Sequence, residues 1–500
     1  MVELQTRRRA PEMKLGAESV LTFAGIVVNA GLAFVITWLI ARFLGASATG
    51  AFFLFTSLFM IGTSAVALGA DTGLVRSLSR ARATDAPELL RPAVRAALLP
   101  VVLVGVVISS ALILLAEPIA SWLAPGEGAT PTVRVLAAAL LPAALTGILL
   151  GGSRGLGRVR TYTAVQNLFI PIGRLALVAA AIALIRSTQS VVWAWAAPLF
   201  CAAAIAGFLL AGQLRAEAPY SAAPTRPERR EIFRQFWSFS LPRGGAVILE
   251  RALDWADVLL VIALLGPRAG GIYGVVTRIV QAGNMLESAL RIVLGPRLSA
   301  AIAKGDNDAA ARMYLQVTQL LILGSWPFYL AVALFADTLL NLFGAEFASG
   351  AVSLVILASA MALKNTAGAL QTVLLMAGHS SWQLRNKAMQ LVVLLALTLI
   401  LVPHWGLAGA AIAFAAGILV DTLLAGYQVH RLLRISFSPR AAARAASLPA
   451  LVVAGGSLLV RLLADGHGTV VHLGGLGLTL ALYALAVLGA HKRGVLACDG

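Results

Sequence analysis

Runs of about twenty apolar residues recur along almost the whole chain, and no other feature restricts the possible fold so severely. They fall near 19–41, 49–70, 94–116, 132–152, 162–185 and 190–212, then near 240–264, 271–295, 313–336, 351–377, 386–403, 407–428, 447–464 and 470–490. A helix needs about 20 such residues to cross a bilayer. The pattern therefore predicts an all-α membrane protein of about fourteen transmembrane helices. Composition agrees, because 59% of the 500 residues are apolar and only 12% are charged, against roughly 25% charged in soluble chains. A soluble enzyme, a secreted domain and a disordered protein are excluded.

The net charge of +17 would suggest a nucleic-acid partner in a soluble protein. Its placement points elsewhere. Of the 39 Lys and Arg, 28 fall on one side of the expected spans, five (Arg42, Arg134, Arg186, Arg268 and Arg461) on the other, and six inside them. Positive residues gather in cytoplasmic loops, so both termini are expected in the cytoplasm, which requires an even number of helices. The basic loops then meet anionic membrane lipids, and no nucleic acid is expected. Arg7, Arg8, Arg9 and Lys14 precede a first run too long for a cleaved signal, which reads as a retained anchor in a bacterial-type cytoplasmic membrane. Gln213 to Trp237 carries Pro219, Pro224 and Pro227 among arginines and reads as a surface linker. Within it Ile232, Phe233, Phe236 and Trp237 are expected against lipid as one face of an interfacial helix. Cys201 and Cys498 favour no disulfide. The longest outer loops, near 117–131 and 337–350, are too short to hold a catalytic domain, so the chain is not expected to be an enzyme.

The two halves repeat. Leu44, Gly45, Gly50 and Phe52 meet Leu265, Gly266, Gly271 and Tyr273 at one offset of 221 residues, which also carries Arg76 to Arg297 and Gly157 to Gly378. Six spans per half with the same starting orientation make the repeat parallel, leaving two helices at the C-terminus. The expected organisation is a cytoplasmic basic N-terminus (1–18), a first lobe (19–212), a cytoplasmic basic linker (213–237), a second lobe (238–428), two further helices (429–490) and a cytoplasmic tail (491–500).

The stretches Ile40-Ala41-Arg42-Phe43-Leu44-Gly45, Leu68-Gly69-Ala70-Asp71-Thr72-Gly73-Leu74-Val75-Arg76, Arg154-Gly155-Leu156-Gly157-Arg158 and Gly406-Leu407-Ala408-Gly409-Ala410-Ala411 carry a resemblance. The chain resembles the polysaccharide-transporter branch of the multidrug, oligosaccharidyl-lipid and polysaccharide exporter superfamily. That resemblance implies two six-helix lobes around a central cavity opened alternately to the two sides, with two extra helices outside. It implies a lipid-linked oligosaccharide on a polyprenyl pyrophosphate as substrate, flipped to the outer leaflet for cell-surface polysaccharide biosynthesis. A polysaccharide polymerase and glycosyltransferases are further partners on this reading. Related peptidoglycan-precursor flippases carry arginines in their first helix, and from Ser19 to Ala41 this chain has no Arg or Lys. A cation-coupled multidrug exporter and a non-transporting scaffold of a polysaccharide assembly complex are the alternatives.

Ionisable residues at membrane depth are costly and mark candidate sites. In the seventh span Arg243, Glu250, Asp254 and Asp257 are spaced 7, 4 and 3 apart, which at about 100° per residue puts them on one stripe. Arg251 lies about 80° around from that stripe. Clustered carboxylates can take up a proton or hold Na⁺ through their oxygens, so Glu250, Asp254 and Asp257 are the expected ion-coupling residues. Arg174, Arg243, Arg251, Arg278, Arg291, Lys364, Asn167 and Gln371 are the expected substrate contacts, since a pyrophosphate needs cationic donors and a sugar needs amides. Seven-residue spacing is expected to put Asn167 with Arg174, and Lys364 with Gln371, on shared faces. Against this stands mutual pairing, for which Glu287 and Arg291 at i,i+4 are the natural candidates. Asp421 is a further acid late in its span. The six histidines are scattered, so no metal and no cofactor are expected.

Overall fold

The computed structural model describes residues 17–123, 128–217, 225–287, 290, 298, 301–302, 306–377, 379–433, 439–463 and 469–492. Every regular element among them is helical. The main helices are α1 (Ala17–Ala67), α2 (Ala70–Ala83), α3 (Leu90–Leu114), α4 (Ala129–Gly155), α5 (Ile170–Leu184), α6 (Pro198–Glu217), α7 (Arg226–Ala282), α8 (Asn307–Leu334), α9 (Ala351–Thr366), α10 (Leu370–Met376), α11 (Ser380–Leu433), α12 (Gly455–Leu463) and α13 (Thr469–Lys492).

Eleven helical stretches are long and apolar enough to cross a membrane. Three of these, Ala24–Ala67, Arg226–Ala282 and Ser381–Arg431, run to 44, 57 and 51 residues, about twice the 20 that one crossing needs. Each is broken at one glycine with non-helical backbone: Gly45, Gly266 and Gly406. Gly45 (φ 81°, ψ −179°) and Gly266 (φ 86°, ψ 173°) share one conformation, in a region of the backbone map that is essentially closed to residues with a Cβ. These are the glycines related by 221 residues, so the sequence offset reappears as identical turn geometry.

The described residues form two compact units. Unit 1 comprises Met1–Ile36, Phe59–Ala181 and Val192–Glu250. Within it α2 lies along α4, with Ser79 Oγ donating to Gly155 O at 3.2 Å and Arg82 Nη1 donating to Leu156 O at 2.8 Å. Leu74, Leu78, Leu90, Ile148, Leu150 and Leu156 are fully buried there. The segment from Arg226 continues without a break into the seventh span. Phe236 and Trp237 are buried and not turned to lipid as the sequence suggested, and Trp237 Nε1 donates to Ala96 O at 3.0 Å. An indole N–H inside a protein needs an acceptor, and α3 supplies one.

Unit 2 comprises Thr37–Leu58, Ile182–Val191 and Arg251–Gly500. It brings the start of the second span against the start of the eighth. A Cβ on Gly50 would lie 1.7 Å from Pro267 O, and one on Gly271 would lie 2.0 Å from Ala46 O. Ala46 and Pro267 are themselves 221 residues apart, so the contact is reciprocal. Only glycine permits backbone to approach backbone this closely. A core of Ala310, Tyr314, Val373, Leu374, Ala425 and Val429 joins α8, α10 and α11, and Tyr483 Oη in α13 donates to Leu323 O at 2.6 Å.

Candidate functional site

In unit 1 the stretch Thr163–Phe169 is π-helical. Its i→i+5 hydrogen bonds widen the turn, so a count of 100° per residue does not carry across it. Asn167 and Arg174 consequently meet different neighbours and not a common one. Asn167 is 3% exposed, packs with Thr163 against Gly25 of α1, and its Nδ2 has no partner among the described residues; nor has Thr163 Oγ1. Arg174 lays its guanidinium 3.7 Å from the ring centre of Trp195, and its Nε donates to Trp195 O at 3.0 Å. Phe59 packs edge to face with that indole at 5.5 Å.

The charges of α7 are largely paired along the helix. Arg243 Nη1 donates to Glu250 Oε1 at 3.2 Å within unit 1, and Arg251 Nη1 lies 3.5 Å from Asp254 Oδ2 within unit 2. All four side chains are 39% exposed or more, so these pairs are held loosely. Asp257 differs, being 3% exposed with its Oδ1 accepting from Val258 N–H at 2.8 Å. Arg278 stacks 4.0 Å from the centre of Trp255 and 5.6 Å from that of Phe53, and its Nη1 donates to Gln281 Oε1 at 2.9 Å. Asp257 and Asp254 act on it electrostatically. Neither Arg174 nor Arg278 forms an ion pair among the described residues. Cation–π stacking occupies the face of a guanidinium and leaves edge N–H groups for an anion.

Lys364 and Gln371 do not share a face either, because the helix breaks between Thr366 and Leu370, at Gly368 (φ 76°). Lys364 closes the last turn of α9, where the helix dipole favours a cation. Its Nζ donates to Glu287 Oε2 at 2.6 Å. Gln371 Nε2, beyond the break, donates to Asp421 Oδ1 at 2.9 Å, and Lys387 Nζ donates to Asp421 Oδ2 at 2.9 Å. Glu287 is thus bound to a residue 77 positions away, while Arg291 lies outside the described residues, as do Arg297 and Gly378 of the repeat. Asn365 Nδ2, Gln371 Oε1 and Thr372 Oγ1 around the break lack partners among the described residues. The adjoining cavity, between Tyr314, Val317 and Thr372, holds about 20 Å³, room for one water and no more.

Sequence reasoning missed the aromatic partners Trp195 and Trp255, which carry no charge, and Glu346, in the 3-10 turn Ala345–Gly350 between two spans. A Trp two residues before Asp257, the carboxylate that acts most strongly on Arg278, gives no periodic signal. The features that could have been used are the rarity of Trp and the need of any intramembrane arginine for an aromatic or acidic partner.

The fold and these charged helices define a multi-pass, all-helical membrane protein. The structure resembles a lipid II flippase, MurJ, in an inward closed conformation, with a TM-score of 0.72, 9% identity and coverage of 95% of this chain and 100% of that one. It also resembles an inward-facing multidrug resistance MATE family transporter, with a TM-score of 0.68, 14% identity and coverage of 83% and 98%. Residues 15–302 match the family described as polysaccharide biosynthesis protein, more than half of the chain, and the protein belongs to that family. A probable low-salt glycan biosynthesis flippase, Agl15 of Haloferax volcanii, is 25% identical over 437 residues, 85% of each chain.

Proposed function

We propose that this protein flips a polyprenyl-pyrophosphate-linked oligosaccharide from the cytoplasmic to the outer leaflet by alternating access, coupled to H⁺ or Na⁺. The observation that carries the reading is the state of Arg174 and Arg278. Each is held on a tryptophan face with no carboxylate in salt-bridge range among the described residues. An intramembrane arginine with no salt-bridging acid is costly, and phosphate oxygens fit its planar fork. Membership of a polysaccharide biosynthesis family and likeness to a glycan flippase support a glycan-bearing lipid as the source of that phosphate.

On this reading Asn167 offers its free Nδ2 to a sugar hydroxyl. The exposed pairs Arg243–Glu250 and Arg251–Asp254 exchange partners with the headgroup, and Lys364, Gln371 and Arg291 contribute to the same end. Asp257, the buried acid of α7, is the coupling residue, with Glu250 and Asp254 beside it in sequence. Taking the three double-length helices as two crossings each supports fourteen spans, and an even number together with the basic loops supports both termini in the cytoplasm. The basic loops would then contact anionic lipids and the polymerase and glycosyltransferases of the pathway.

The test is leaflet accessibility of a polyprenyl-pyrophosphate oligosaccharide in proteoliposomes, comparing the unmodified protein with Arg174→Gln, Arg251→Gln and Asp254→Asn. Flipping that depends on the protein and fails in Arg174→Gln is the expected result. Similarity to a multidrug transporter fold favours a second reading, cation-coupled drug export. Transport of a cationic dye with no flipping of any such lipid would establish it instead.

A further inference from the structure

Within unit 2 one carboxylate reaches both glycine turns at once. Glu346 Oε1 accepts from Ala46 N–H at 2.7 Å, and its Oε2 lies 3.3 Å from Arg268 Nη2. Ala46 follows Gly45 and Arg268 lies two residues after Gly266, so a single side chain joins the two positions that the repeat makes equivalent. The chemistry favours an anion there twice over. Ala46 N–H opens a helical segment, where unsatisfied N–H groups and the positive end of the dipole attract a carboxylate, and Arg268 adds a full charge. Trp38 Nε1 donates to Leu342 O at 3.0 Å, four residues before Glu346, tying that segment to the helix that leads into Gly45.

Beneath this clamp the helices beginning at Ala46 and Pro267 touch backbone to backbone at Gly50 and Gly271. One turn on, Phe53 packs against Gly274 of the facing helix. The carboxylate of Glu346 is 32% exposed, so water can replace its partners without stranding a buried charge. Lys364 and Glu287, at 22% and 10%, have no such freedom.

We propose that Glu346 is a latch. Its bonds to Ala46 N–H and Arg268 hold the two glycine turns together, and they break when that end opens. The inference rests on the alternating-access reading above, with the glycine turns on the outer side.

Nitroxide labels at Ser47 and Leu264, exposed residues beside the two turns, report their separation by pulsed electron resonance. The background carries Cys201→Ser and Cys498→Ser, and the protein sits in nanodiscs without substrate. The unmodified residue should give one short-distance population. Glu346→Ala removes a charged acceptor and should shift the balance towards a longer-distance population by roughly tenfold or more. Arg268→Gln should shift it in the same direction by less, and Glu346→Gln, isosteric with the native residue, covers a failure of the alanine variant to fold. Unchanged distances in all three overturn the latch, as does a loss of unfolding stability without any change of distance. Flipping assayed in parallel separates the two claims. Unchanged distances in a protein that flips glycan lipid overturn the latch alone, whereas opened distances in one that flips none keep the latch and overturn the proposed substrate.

Discussion

Replacing Lys364 by Met, which keeps the length of the side chain and removes its charge, leaves the Glu287 carboxylate 10% exposed with its 2.6 Å partner gone. Losing one member of a buried ion pair costs about 3–5 kcal/mol, because the remaining charge loses its close counter-charge where water barely reaches it. Lys364 also sits in the last turn of α9, so its charge there contributes a further ~0.3–1 kcal/mol through the helix dipole. Glu287→Gln should cost less, since an amide oxygen still accepts from the ammonium. The double variant Lys364→Met/Glu287→Gln should recover most of the loss, as removing both charges of such a pair is often nearly neutral. The expected coupling in a double-mutant cycle is therefore at least ~2 kcal/mol, well above the ~0.5 kcal/mol at which independent sites add. Unfolding free energies in mixed detergent micelles with increasing dodecyl sulfate measure it. Single losses below about 1 kcal/mol that simply add would refute the assignment of this pair as a buried structural contact. The same double variant, if stable, shows through its flipping rate whether Lys364 also serves the substrate.

Other outcomes follow from the same geometry. Gly50→Ala and Gly271→Ala each drive a methyl into a backbone carbonyl that cannot yield, and should cost more than the ~1–3 kcal/mol of ordinary overpacking. Gly31→Ala, with nothing within 4 Å, is the control and should be near neutral; equal behaviour of all three would contradict the crossing. Arg174→Lys should lose flipping almost as fully as Arg174→Gln, because an ammonium cannot stack on Trp195 and present a planar fork together. Native rates in the lysine variant would mean that charge alone suffices. Asp257→Asn should abolish the dependence of flipping on a proton or Na⁺ gradient, and an unaltered dependence would remove Asp257 from the coupling role.

The membrane-spanning character, the all-helical build and the paired glycine turns were legible from residues alone. Hydropathy depends on composition within a window of about 20 residues, and a positive-φ turn depends on a single residue, so both are local properties. Candidate charges were legible as a set, since any ionisable group at that depth stands out against apolar neighbours. Their grouping was not. Asn167 parted from Arg174 because a π-helical turn intervenes, and Lys364 parted from Gln371 because the helix breaks at Gly368. Each interruption resets the angular phase on which a spacing argument depends.

What the sequence determined by itself, then, is which stretches are long and apolar enough to cross a membrane, where glycine turns interrupt them, and which side chains among them are polar. Only the tertiary structure decided which of those side chains are spoken for. Lys364 finds Glu287 across 77 residues, Gln371 finds Asp421 across 50, and Ala46 N–H finds Glu346 across 300. Arg174 finds the face of a tryptophan. Helical periodicity specifies the direction in which a side chain leaves its own axis, but an ion pair or a stacked cation depends on the distance between two axes. That distance is set by which small residues let the helices approach, as Gly50 and Gly271 do here.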